Sequence, residues 1–148
     1  MPASTSPTQA LSQRPLGFAI VGLGQLTLEE IMPAFAQCRW ARPVALVSGS
    51  RDKALPVARA LGIGEDRVLG YDHFDRLRDM PEVDVVYIVL PNHLHAEYTL
   101  KAFAAGKHVL CEKPMAVTPE ECHRMMDAAR AADRQLMIAY RLHFEPFS

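Results

Sequence analysis

The stretch Leu16-Gly-Phe-Ala-Ile-Val-Gly-Leu-Gly-Gln-Leu-Thr27 decides how the chain is read. Its apolar run, Leu16 to Val21, closes on two glycines, as a strand buried on both faces of a parallel sheet would. The next segment, 25–38, has helical spacing of apolar residues, with Pro33 as an expected kink or break. A strand, a glycine turn and a helix in that order form the opening of a βαβ unit. In such a unit Gly22 permits the tight turn, and Gly24 lets backbone approach a pyrophosphate at the helix amino terminus. The third glycine of that fingerprint is replaced by Thr27, whose side chain is expected to hold helix and strand slightly apart. A tight βα turn without a ligand is the alternative.

The alternation continues outward from this unit. Strands are expected over 42–50, 67–71, 83–91, 108–112 and 135–140, and helices over 51–62, 72–80, 93–106 and 118–133. The run 83–91 is the clearest strand, rich in β-branched residues and stopped by Pro91. Gly62 is placed to close the second helix, and Thr118, Pro119 and Glu121 to open the last one as N-cap, first residue and capping-box acid. Six strands with helical crossovers predict a doubly wound parallel sheet in three α/β/α layers over 16–140. Residues 1–15, polar and rich in Pro, Ser and Thr, read as a disordered arm, and 141–148 as the start of a further domain.

Composition narrows the function. The 148 residues carry a net charge of −1, with 49% hydrophobic and 22% charged residues and no basic block, so nucleic acid and anionic membrane are poor partners. Cys38, Cys111 and Cys122 are scattered without C-x-x-C pairing, which fits reduced thiols in the cytoplasm. No run approaches the roughly 18 apolar residues of a membrane span. His93 and His95 stand at i and i+2 with no ligand at metal spacing, so no metal is expected.

The end of the second strand bears on cofactor choice. An NAD-selective domain usually has Asp or Glu there, on the ribose hydroxyls. This chain has Val47-Ser48-Gly49-Ser50-Arg51-Asp52-Lys53. Two hydroxyls, a flexible Gly49 and two cations suit a 2′-phosphate, so NADP is favoured, with NAD possible. Arg51 and Lys53 as a solvated helix start, with Asp52 reaching a ribose, is the other reading. At the end of the fifth strand stands Cys111-Glu112-Lys113-Pro114-Met115-Ala116. A lysine at a strand's carboxyl end lies where open α/β sheets bind ligands, and it can stabilise or protonate the oxygen of a carbonyl receiving hydride. An exposed turn lysine is the bland alternative.

Four stretches, 22–35, 46–54, 87–116 and 137–146, together resemble the Gfo/Idh/MocA oxidoreductases, with the strongest likeness to the glucose–fructose oxidoreductase branch. Asn92 and His95 in Pro-Asn-x-x-His, followed by Glu112-Lys113-Pro114, are the specific marks. The resemblance implies a Rossmann domain in which Gly22, Gly24, Gln25 and Leu26 contact the cofactor diphosphate. It implies that Ser48 and Lys53 hold the 2′-phosphate beside Ser50 and Arg51, and that Tyr71 lies at the adenosine end. Leu90, Pro91, Asn92 and His95 would line the ribose and nicotinamide side, Glu112 would bind the nicotinamide ribose, and Arg141 would approach from the last strand. Lys113, before an often cis proline, would be the catalytic residue acting on a sugar or polyol. A second domain would supply the rest of the substrate pocket and a homo-oligomer interface, leaving this chain to bind cofactor without turnover. A free-standing NADP-binding sensor or interaction module, and a self-associating remnant, are the competing expectations.

Overall fold

The computed structural model describes residues 14–140. Six strands form one sheet: β1 (Leu16–Val21), β2 (Ala41–Val47), β3 (Val68–Leu69), β4 (Val85–Ile88), β5 (His108–Glu112) and β6 (Leu136–Ala139). Their order is β3-β2-β1-β4-β5-β6, every pairing parallel. The chain therefore winds outward from β1 to one edge, then returns to β4 and winds to the other. The order reverses between β1 and β4, which is where a crevice opens above the carboxyl ends of the strands.

Alternation of side chains along each strand builds two apolar layers. Ile20, Leu46, Val68 and Tyr87 pack beneath α1 (Met32–Ala36) and α2 (Arg51–Leu61) through Met32, Ala54 and Ala58. Ala19, Val47, Val86, Ile88 and Val109 pack beneath α3 (His95–Ala104) and α4 (Pro119–Ala132) through Ala96, Phe103 and Met125. Helices on both faces complete the three-layer doubly wound α/β/α fold. Among the described residues no helix is long and apolar enough to cross a membrane.

Several elements differ from the sequence reading. The helix expected over 25–38 is a π-helical turn, Thr27–Ile31, running into the short α1. Pro33 cannot donate to a carbonyl of the preceding turn and its ring crowds that turn, so the wider π turn precedes it. The segment expected as a helix over 72–80 is 3₁₀, Tyr71–Asp79, with a kink at His73. Its buried residues Phe74 and Leu77, and Met80 just beyond, recur every third position, the period of a 3₁₀ rather than an α helix. β3 keeps only two residues, and β4 ends three positions before Pro91.

Of the expected arm, Arg14 and Pro15 are described, and Arg14 is anchored. Its guanidinium donates to both Asp84 carboxylate oxygens, at 2.7 and 2.8 Å, while the Gly17 amide donates to Asp84 Oδ2 at 2.8 Å. Burial alone would raise the Asp84 pKa, but the Arg14 fork, the Gly17 amide and the nearby Lys107 outweigh it and hold the carboxyl below its ordinary value. The unfolded chain thus takes up this proton more readily than the folded one. The contribution is complete above the ordinary carboxylate pKa and is lost as pH falls through the lower folded value. Urea unfolding measured from about pH 5 down to about pH 2 should show stability falling more steeply in the unsubstituted chain than in Asp84→Asn. Equal slopes would remove Asp84 as the origin.

Candidate cofactor site

The first wall of the crevice is the turn after β1. Gly22 has φ +98°, and its amide donates to the Val47 carbonyl at 2.9 Å. A Cβ there would stand 2.1 Å from the Val89 carbonyl oxygen, so the turn passes directly against the exit of β4. Gly24 is exposed, and a Cβ on it would meet nothing within 4 Å. That open ground suits close approach by a diphosphate. Thr27, in the third fingerprint position, is fully buried, and its hydroxyl donates to the Gly22 carbonyl at 2.7 Å. Its side chain ties the turn together and is accommodated at the head of the π turn. Gln25 is exposed beside Gly24, its amide donating to Glu29, and Leu26 is half-buried.

The second wall is the corner after β2. A cavity of about 250 Å³ is lined by Ser48, Gly49, Arg51, His73, Arg76 and the backbone around Val68 to Gly70. Ser48 is 7% exposed and its hydroxyl accepts from the Ser50 amide at 3.2 Å. Ser50 caps α2, accepting from the Lys53 amide at 3.3 Å. Arg51 turns back and donates to the carbonyls of Val68 and Glu65, at 3.0 and 3.4 Å. The exposed Lys53 is on the first turn of α2 and does not line the cavity. Tyr71 flanks it: a Cβ on Gly49 would lie 3.4 Å from the Tyr71 ring, which packs edge-on against Tyr98 at 5.4 Å. Burial raises the Tyr71 pKa, which keeps the phenol protonated.

The third wall is built by the exits of β4 and β5. Leu90 is half-buried there, while Pro91 and Asn92 are exposed. Glu112 ends β5 and accepts a 2.5 Å hydrogen bond from the Tyr87 hydroxyl of the neighbouring strand. Lys113 is exposed, and its peptide bond to Pro114 is cis. His95 is placed differently from a surface contact. It is fully buried, with Nδ1 2.7 Å from the Pro114 carbonyl oxygen and Nε2 2.8 Å from that of Leu90. It joins the exits of β4 and β5 from behind. Cys111 is fully buried, and burial pushes its pKa up to about 12, so it stays a thiol. Arg141 lies outside the described residues.

The three walls therefore gather residues far apart in sequence at the carboxyl ends of the strands. His73 and Arg76 are the members that sequence reasoning passed over. The only sign available was a pair of basic residues in a segment read as an ordinary helix, and the β2–β3 register (Leu46 with Val68, Val47 with Leu69) is what brings them to Ser48.

Residues 16–140 match the family described as "Oxidoreductase family, NAD-binding Rossmann fold", Gfo/Idh/MocA. The chain is 39% identical over 138 residues to a D-xylose 1-dehydrogenase [NADP(+)] of Haloarcula marismortui, covering 93% of this chain and 38% of that protein. It is 34% identical over 134 residues to a D-glucoside 3-dehydrogenase of Escherichia coli, covering 90% of this chain and 36% of that one. Among solved structures it resembles aldose-aldose oxidoreductase from Caulobacter crescentus, complexed with glycerol, at 48% identity and a TM-score of 0.87 over 89% of this chain and 39% of that one. A 3-ketoreductase from Actinomadura kijaniata in complex with NADP and TDP-benzene is 28% identical, with a TM-score of 0.80 over 90% of this chain and 40% of that one. The chain thus spans under two-fifths of the length of the two curated relatives. On fold, strand order and these matches, the chain belongs to the Gfo/Idh/MocA oxidoreductase family and forms its NAD(P)-binding Rossmann domain.

Proposed function

We propose that this domain binds NADP(H) in preference to NAD(H) and presents the nicotinamide for hydride transfer at a CH–OH or carbonyl carbon of a sugar or polyol. The observation that carries the cofactor preference is the corner after β2. Its cavity is lined by Ser48, Arg51, His73 and Arg76, and no carboxylate residue is among its lining, which suits a 2′-phosphate. The diphosphate is taken by the Gly22–Gly24 turn, where a glycine leaves the approach open. The sugar preference is drawn from the sugar-acting relatives and structural neighbours.

The bound nicotinamide supplies or accepts the hydride. Glu112, oriented by the Tyr87 hydroxyl, holds the ribose on the nicotinamide side. Lys113, exposed at the mouth of the crevice, stabilises the oxygen that becomes negative as hydride arrives and gives it a proton; in the reverse direction it receives that proton. Leu90 and Pro91 supply the apolar side of the nicotinamide pocket. As the relatives are longer, this domain is read as the cofactor half of such a site, the substrate wall lying elsewhere.

Titration of the chain with NADPH and NADH, monitored by nicotinamide fluorescence, tests the reading. NADPH should bind more tightly, and Ser48→Ala combined with Lys53→Ala should weaken it about tenfold while leaving NADH little changed. Equal affinity for the two cofactors, or none for either, would overturn it.

A further inference from the structure

Cations are plentiful around the corner after β2, but most are already engaged. Arg51 lines the cavity, yet two of its guanidinium nitrogens donate to the Val68 and Glu65 carbonyls. Arg59 pairs with Glu65 at 3.2 Å and Arg67 with Glu82 at 2.5 Å. Arg78 donates to the Ala104 carbonyl at 2.9 Å, and Lys53 lies outside the cavity lining. Arg76 differs from all of these. It lines the cavity, it is exposed, and among the described residues it makes no hydrogen bond or ion pair.

Position strengthens the distinction. Ser48 and Gly49 form one side of the cavity, at the end of β2. His73 and Arg76 form another, from the 3₁₀ segment after β3, with His73 on its kink. A group seated between the sides meets the nearly buried Ser48 hydroxyl on one and a free guanidinium on the other. A guanidinium offers five donors in a planar fork that matches phosphate oxygens two at a time, which an ammonium or a ribose hydroxyl does not reproduce. Asp72, whose carboxylate lies 3.6 Å from the His73 ring, is not among the residues that line the cavity.

We propose that Arg76, assisted by His73, forms the second wall of the 2′-phosphate subsite and is the main determinant of selectivity for NADP(H) over NAD(H). Arg51 in this arrangement is chiefly a brace, holding α2 to the strand and turn beneath it while adding positive potential. The inference rests on the NADP(H) reading above, and it shifts the selectivity from the residues next to the glycine fingerprint to a segment about 50 residues after it.

The test is the affinity of NADPH and of NADH for the unsubstituted chain and for Arg76→Gln, Arg76→Lys and Arg78→Gln, with thermal unfolding midpoints taken alongside. Arg76→Gln should weaken NADPH by about 10- to 100-fold and leave NADH within about twofold, as expected for loss of a hydrogen-bonded charge from the phosphate alone. Arg76→Lys, which keeps the charge and loses the fork, should fall between. Arg78→Gln should leave both affinities unchanged. If the unsubstituted chain prefers NADPH and Arg76→Gln keeps that preference, the inference fails and the functional reading survives. Parallel loss of both cofactors with an unchanged midpoint also overturns it, because Arg76 would then serve the part the cofactors share. If the unsubstituted chain binds neither, the functional reading and the inference fall together.

Discussion

Gly22→Ala is expected to remove a large part of the stability of the domain. The backbone there has φ +98°, outside the range side chains adopt comfortably, which costs about 1–3 kcal/mol. The added methyl would also stand 2.1 Å from the Val89 carbonyl oxygen, a backbone atom that cannot rotate away. The Val89 amide is itself bonded to the Val21 carbonyl at 2.9 Å, so relief requires parting β1 from β4 at the centre of the sheet. Together these amount to about 4 kcal/mol or more, against about 5–15 kcal/mol for an ordinary domain. Gly24→Ala provides the contrast, because nothing lies within 4 Å of its added methyl. Its stability in urea should stay within about 0.5 kcal/mol of the unsubstituted value, while NADPH affinity falls about tenfold from obstruction of the diphosphate. An unshifted midpoint for Gly22→Ala would refute the close approach to β4. Undiminished NADPH binding by Gly24→Ala would refute the turn as the diphosphate cradle.

The parts of this domain legible in its sequence are those set by local physics. Thr118 caps α4 by accepting from the Glu121 amide at 3.2 Å, as the spacing of Thr118, Pro119 and Glu121 implies, while the Glu121 carboxylate accepts from the Val117 amide at 3.0 Å, one residue before the cap. Gly62 closes α2 at φ +71°. The apolar runs became β1, β2 and β4 in shortened form, because a run shows which residues are buried but not where ladder pairing stops. Less legible were features that depend on a partner distant in sequence. Which of the residues in 72–80 are buried, Phe74, Leu77 and Met80, is known only once the surface beneath the segment is, and the three-residue period that marks it as 3₁₀ comes with that knowledge. Asp133 ends α4 at φ +51° without the glycine that would have announced it. In the site, Ser48 and Glu112 stand where the motifs put them, at strand ends. Arg76 reaches the cavity only through the register of a two-residue strand. The Tyr87–Glu112 bond exists because Tyr87 and Glu112 lie on paired strands, a relation no local pattern carries.

His95 shows how such a distant relation governs function, and its replacement is the second large effect expected. It begins α3, directly after the β4 exit, yet it bonds forward to Pro114, the residue after Lys113. Through Leu90 it holds one side of the crevice, and through Pro114 it fixes the loop that carries Lys113. His95→Ala would leave both carbonyls without these partners and a void at a fully buried position, at a cost of about 2–4 kcal/mol. His95→Phe restores bulk but neither ring nitrogen, so the pair of variants separates packing from positioning. If positioning matters, His95→Phe should recover much of the urea midpoint, while NADPH affinity, measured where the variant is fully folded, stays several-fold weaker than in the unsubstituted chain. The exits of β4 and β5 would then stand at the wrong distance for one ligand to touch both. Should His95→Phe bind NADPH as tightly as the unsubstituted chain, the ring is packing alone, and the spacing of Leu90 and Lys113 must be set by the strands that carry them.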